Sequence, residues 1–84
     1  MSKADKLLKR IQGNPSDFTW DELIRLLGHL GYTMERGGHS GGSRARFTHA
    51  ERSPILLHKP HPSLVLKRYQ IRQLIEFLKE QGII

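Results

Sequence analysis

Four of the five histidines lie between Gly37 and Pro62, in a stretch that also holds Arg44, Arg46, Arg52 and Lys59. Imidazoles among fixed cations are the side chains that metal-free cleavage of RNA calls for. A base must take the proton of a 2′-hydroxyl, an acid must protonate the leaving 5′-oxygen, and cations must stabilise the charge on a phosphorane-like transition state. Histidine suits either proton-transfer role, because its unperturbed pKa of about 6.5 leaves both forms accessible near neutrality. His58 and His61 flank Lys59-Pro60, so two titratable groups sit on one stiff segment. His39 stands in the glycine-rich loop Gly37-Gly38-His39-Ser40-Gly41-Gly42. Arg44 and Arg46 alternate with Ala45 and Phe47, which puts both guanidinium groups on one side of a strand, where they can take a phosphate bidentately. On the residues alone the plainer role of His58 and His61 comes first: hydrogen bonds to backbone groups in a rigid strand-to-helix connection.

Other chemistries fit less well. His39, His58 and His61 have no thiolate or carboxylate to complete a recognisable metal pattern, so no metal site is expected. The run from Gly37 to Gly42 lacks the lysine and the strand-loop-helix setting of a phosphate-binding loop, which argues against nucleotide hydrolysis and a nucleotide cofactor. With 14 Lys and Arg against 8 Asp and Glu the formal charge is +6, a balance that favours a polyanion such as nucleic acid or an acidic protein. It also fits a merely basic soluble protein. Cysteine is absent, so disulfides are excluded. The apolar runs are too short to span a bilayer and the N-terminus has no secretory pattern, so a cytoplasmic protein without a membrane partner is expected.

A chain of 84 residues has core enough for one domain. Ala4, Leu7, Leu8 and Ile11 recur at helical spacing, predicting an amphipathic helix within 1–13 that Gly13 and Asn14-Pro15 stop. Gln12 to Asp17 reads as a linker, and 19–84 as the core of the domain. Thr19-Trp20-Asp21-Glu22 is a capping box, followed by Trp20, Leu23, Ile24, Leu27 and Leu30 along one face, with Trp20 as a core anchor and His29 on the solvent side. Gly31 ends this helix. Alternation predicts a strand over 32–36, a second over 44–49 and a third over 55–58, where Pro60 and Pro62 end pairing. Lys67 to Gln81 predicts a closing helix with Ile71, Leu74, Ile75 and Leu78 as its buried stripe, after which Gly82 lets Ile83-Ile84 fold back. Helices on one face of a three-stranded antiparallel sheet leave the other face open, and that face carries Arg44 and Arg46.

From Trp20 onward the pattern resembles the HicA family of small toxins, the messenger-RNA-cleaving partners of HicB antitoxins. The likeness rests on the capped helix ending Leu30-Gly31-Tyr32, the glycine loop closing in Gly42-Ser43, the strand ending in Phe47, the third strand leading to Pro60-His61, and the last helix finishing near Gly82-Ile83. The resemblance implies an α+β, double-stranded-RNA-binding-domain-like fold of order α-α-β-β-β-α. It further implies ribonuclease activity without a metal and neutralisation by a HicB-like antitoxin. The sequence departs from the family at one position. The usual motif is Gly-Ser-His, whose histidine is taken to be catalytic, and here it reads Gly42-Ser43-Arg44. Arginine is too weak an acid to act as a general base at neutral pH.

The leading expectation is therefore the toxin of a type II toxin-antitoxin system, binding and cleaving mRNA. Ser43, Arg44, Arg46 and Lys59 would contact RNA, and His61, His58 or His39 would transfer protons. Two other readings remain: an RNA-binding module of the same fold without nuclease activity, and a protein whose basic face serves chiefly to bind an acidic antitoxin.

Overall fold

In the computed structural model, which describes residues 3–35, 44–60 and 62–84, the chain runs α1 (Lys3–Gln12), α2 (Trp20–His29), β1 (Thr33–Met34), β2 (Arg44–Thr48), β3 (Ile55–His58) and α3 (Arg68–Glu80). The strands pair antiparallel in the order β1-β2-β3. The α-α-β-β-β-α order is the one the sequence predicts.

Helix α2 opens with its capping box closed. Thr19 Oγ1 accepts from the Glu22 N–H at 3.2 Å, and the Glu22 carboxylate accepts from the Thr19 N–H at 3.0 Å, which satisfies two donors that a helix start leaves orphaned. The helix ends in a Schellman turn. Gly31 adopts φ +95°, its N–H donates to the Gly28 carbonyl at 3.1 Å, and the Tyr32 N–H donates to the Leu27 carbonyl at 2.8 Å. The helix end takes the Tyr32 N–H, and β1 starts one residue later, at Thr33. The Tyr32 ring is buried, and its hydroxyl donates to the Ser53 carbonyl at 3.0 Å. Burial pushes the pKa of that hydroxyl above its ordinary value of 10.0, against the lowering influence of Arg52. Beyond β1 the Glu35 N–H still donates to the Arg46 carbonyl, at 2.7 Å.

Residues directly opposite in a ladder share a face, so the register Ala45↔Leu57 and Phe47↔Ile55 gives the sheet one apolar side. Helices α2 and α3 cover that side. Trp20 of α2 meets Phe47 with ring centroids 5.9 Å apart, and Tyr32 meets Phe77 of α3 at 6.5 Å. The buried positions of α2 are Trp20, Leu23, Leu26 and Leu27, and those of α3 include Ile71, Leu74 and Leu78. Ile75, predicted for the α3 stripe, is half-buried at its margin.

Helix α1 packs on α2 and α3 and drives Ile11 into the same core with no exposed surface. Phe18, which falls between the predicted linker and the capping box, is likewise fully buried. The Arg10 guanidinium lies 5.2 Å from its ring centroid and 3.0 Å from the Asp17 carboxylate. The Leu66 N–H donates to the Phe18 carbonyl and the Trp20 N–H to the Leu64 carbonyl, both at 2.8 Å. This short bridge, centred on Thr19 and Val65, ties the start of α2 to the approach to α3.

Candidate nucleic-acid interface

The alternation that sinks Ala45 and Phe47 into the core lifts Arg44 and Arg46 to the opposite face. In β3 the same rule sinks Ile55 and Leu57 and lifts Leu56 and His58. The antiparallel register then sets Arg44 directly across from His58 and Arg46 across from Leu56. Residues so paired hold their Cβ atoms about 4.5–5.5 Å apart, within range of a single phosphate group. Lys59 follows His58 and is exposed, while Pro60 is buried and anchors the chain as it leaves the sheet.

Two features modify this cationic face. Arg46 Nε lies 3.4 Å from Glu35 Oε2, with both side chains about half exposed. A surface pair of this kind is worth about 0–1 kcal/mol, small enough for a phosphate to displace the carboxylate. Arg44 has no carboxylate partner among the described residues. Leu56, 69% exposed, puts an apolar surface between the cations. Together with Arg44, Leu57 and His58 it lines a shallow cleft of about 220 Å³. The arrangement offers two guanidinium groups and an imidazole to a phosphodiester, and an apolar surface to the adjoining sugar or base.

His49, the remaining histidine of the stretch, does other work. Its Nδ1 accepts from the Glu51 N–H at 2.9 Å, and its Nε2 lies within hydrogen-bond distance of the Leu30 carbonyl, at 3.1 Å. The ring meets Tyr32 edge-on at 4.9 Å, bracing the corner between α2 and β1. His29 is exposed on α2, on the solvent side as its spacing predicts.

Of the residues singled out from the sequence, Arg44, Arg46 and His58 share the open face, and Lys59 is exposed just past the end of β3. His39, Ser43 and His61 lie outside the described residues, as does the glycine loop from Gly37 to Gly42. Leu56 and Glu35 were not picked out. Leu56 was legible in principle, because an Ile-Leu-Leu run in a strand with one buried face must expose its middle residue. Glu35 becomes a partner of Arg46 only through the cross-strand register. Among the described residues no group of three or more His, Cys, Asp or Glu side chains is placed to hold a metal ion, and no helix is long and apolar enough to cross a membrane.

Comparison with known proteins adds one relationship. Residues 20–83 match the HicA toxin of bacterial toxin-antitoxin. No curated protein and no solved structure matches. The matched span begins with the first residue of α2, takes in the whole sheet and α3, and includes every residue of the open face. On that span, about three-quarters of its length, the chain belongs to the HicA family of bacterial toxin-antitoxin toxins.

Proposed function

We propose that this chain is an mRNA-cleaving toxin whose reaction takes place on the open face of the sheet, around Arg44, Arg46, His58 and Lys59, without a metal. The observation that carries the reading is the pairing of Arg44 with His58. The family's histidine position is an arginine in this chain, and an imidazole stands directly across the ladder from it. Position 44 thus supplies the phosphate-binding cation, and position 58 supplies the group that can exchange a proton.

The chemistry balances within RNA itself. A base removes the 2′-hydroxyl proton, the 2′-oxygen forms a bond to the adjacent phosphorus, and the bond from phosphorus to the 5′-oxygen breaks as an acid protonates that oxygen. The products are a 2′,3′-cyclic phosphate and a 5′-hydroxyl. Arg44 and Arg46 hold the non-bridging oxygens and are placed where charge develops. His58 serves as one proton-transfer group, with His61 and His39 as candidates for the other and Ser43 as a further RNA contact. The same basic face suits an acidic HicB-like antitoxin, which would block RNA by covering it, in the cytoplasm where mRNA is translated.

The test is cleavage of a labelled single-stranded RNA in EDTA by the wild type and by Arg44→Ala, His58→Ala and His61→Ala, with RNA affinity measured in parallel. Cleavage in EDTA, reduced at least about a hundredfold in His58→Ala with binding retained, is the expected result. RNA that is bound with a steep salt dependence yet stays whole, with or without translating ribosomes, would instead make the chain a non-catalytic RNA-binding module.

A further inference from the structure

Gln70 is the polar side chain that, among the described residues, is buried as deeply as the apolar core, at 5% exposure. A carboxamide out of water must have its hydrogen bonds made for it. Its Oε1 accepts from the Lys67 N–H at 3.0 Å, and its Nε2 donates to the His58 carbonyl at 2.9 Å. The first bond serves α3, satisfying a donor at its first turn. The second serves β3, because His58 is the last residue of that strand. One side chain therefore joins the two ends of the connection 59–66, which carries Lys59 and the buried Pro60.

The residue type is informative. A cap for the Lys67 N–H needs only an acceptor, and glutamate is a usual choice at this position. Glutamine adds a donor, and here the donor is spent on the backbone of the residue that faces Arg44. Pro60, two residues on, has no N–H with which to continue a ladder, so the strand end is held by this side-chain bond and by the burial of Pro60. We propose that Gln70 is a positioning residue of the RNA site: through the His58 carbonyl it fixes the backbone that carries the His58 imidazole across the ladder from Arg44. The proposal rests on the nuclease reading above, and its test separates the two.

Gln70→Glu keeps the acceptor for Lys67 and, once ionised, has no donor for His58. Its cleavage is therefore read up to about pH 9, above the range of a carboxyl raised by burial. Gln70→Met keeps the length and loses both. The measurements are kcat and KM on labelled single-stranded RNA and the His58 ring resonances during titration with that RNA. Since a misplacement of about 1 Å can cost on the order of a hundredfold in rate, both variants are expected to lower kcat at least about tenfold. KM should stay within about threefold, the signature of lost transition-state geometry rather than lost binding.

If the Glu variant cuts like the wild type and only the Met variant is impaired, Gln70 is a cap for α3 and the positioning role is wrong. Wild-type cutting by both overturns it equally. Should the wild type leave RNA whole, the nuclease reading fails on its own and the resonances decide. An RNA-induced His58 shift diminished in both variants keeps the positioning role, and an unaltered shift removes it. A Met variant that does not fold leaves the Glu variant decisive, because a cap-only role predicts wild-type behaviour for it.

Discussion

Arg46 is not a free cation, since Glu35 lies 3.4 Å from its Nε on the same face. A phosphate arriving at Arg46 must displace that carboxylate or bind beside it, and either way a negative charge opposes it. Glu35→Gln should therefore tighten binding of single-stranded RNA by about two- to fivefold, the equivalent of the ~0.4–1 kcal/mol of a surface pair. Arg46→Ala should weaken binding and lower the slope of log K against log salt by about one, as expected for one lost phosphate contact. If Glu35 acts through Arg46, the gain from Glu35→Gln disappears in the Arg46→Ala background. Equal gains in both backgrounds would mean that Glu35 repels RNA through the general field and not by occupying Arg46. The measurement is a four-variant binding cycle at several salt concentrations.

Two helix ends use the same glycine device under different constraints. Gly31 and Gly82 both close Schellman turns at positive φ, +95° and +74°, a conformation that costs an L-residue with a Cβ about 1–2 kcal/mol. A methyl group at Gly82 would meet open space, but at Gly31 it would fall 2.7 Å from His49 Nε2. That imidazole is held by the Leu30 carbonyl and the Glu51 N–H and has no free rotation to yield. Urea unfolding should show Gly82→Ala losing only the conformational cost, and Gly31→Ala losing about 1–3 kcal/mol more through overpacking. Similar losses at both sites would show that the His49 corner gives way easily.

The glycines, the capping box and the strand alternation were all legible in the sequence, because each is a local rule read over a few residues. The pairing of Arg44 with His58, the partnership of Glu35 with Arg46 and the bond from Gln70 to the His58 carbonyl were not. Each depends on a ladder register or a contact across the fold, and no spacing along the chain encodes either. Phe18 escaped for a related reason, since a single aromatic residue between a linker and a capping box has no periodicity to place it.

At the scale of the molecule, the family match begins at Trp20, yet the core does not. Ile11 of α1 has no exposed surface, Leu7 and Leu8 pack against the same cluster, and Phe18 is fully enclosed beneath the Arg10 guanidinium. A domain of this size draws on ~0.05–0.15 kcal/mol of stability per residue, so a single large cavity removes a sizeable share of the total. Ile11→Ala should cost about 2–5 kcal/mol, while Lys6→Ala on the exposed side of α1 should stay within about 0.5 kcal/mol. The open face of the sheet lies on the far side of α2 and α3 from this contact, so RNA affinity per folded molecule should be the same for Ile11→Ala as for the wild type, measured below the unfolding transition. A cost below about 1 kcal/mol would mean that α1 is an appendage to a core that stands without it. An unchanged stability with weakened RNA binding would move α1 from the scaffold to the RNA surface, where its lysines would join the cations of the sheet.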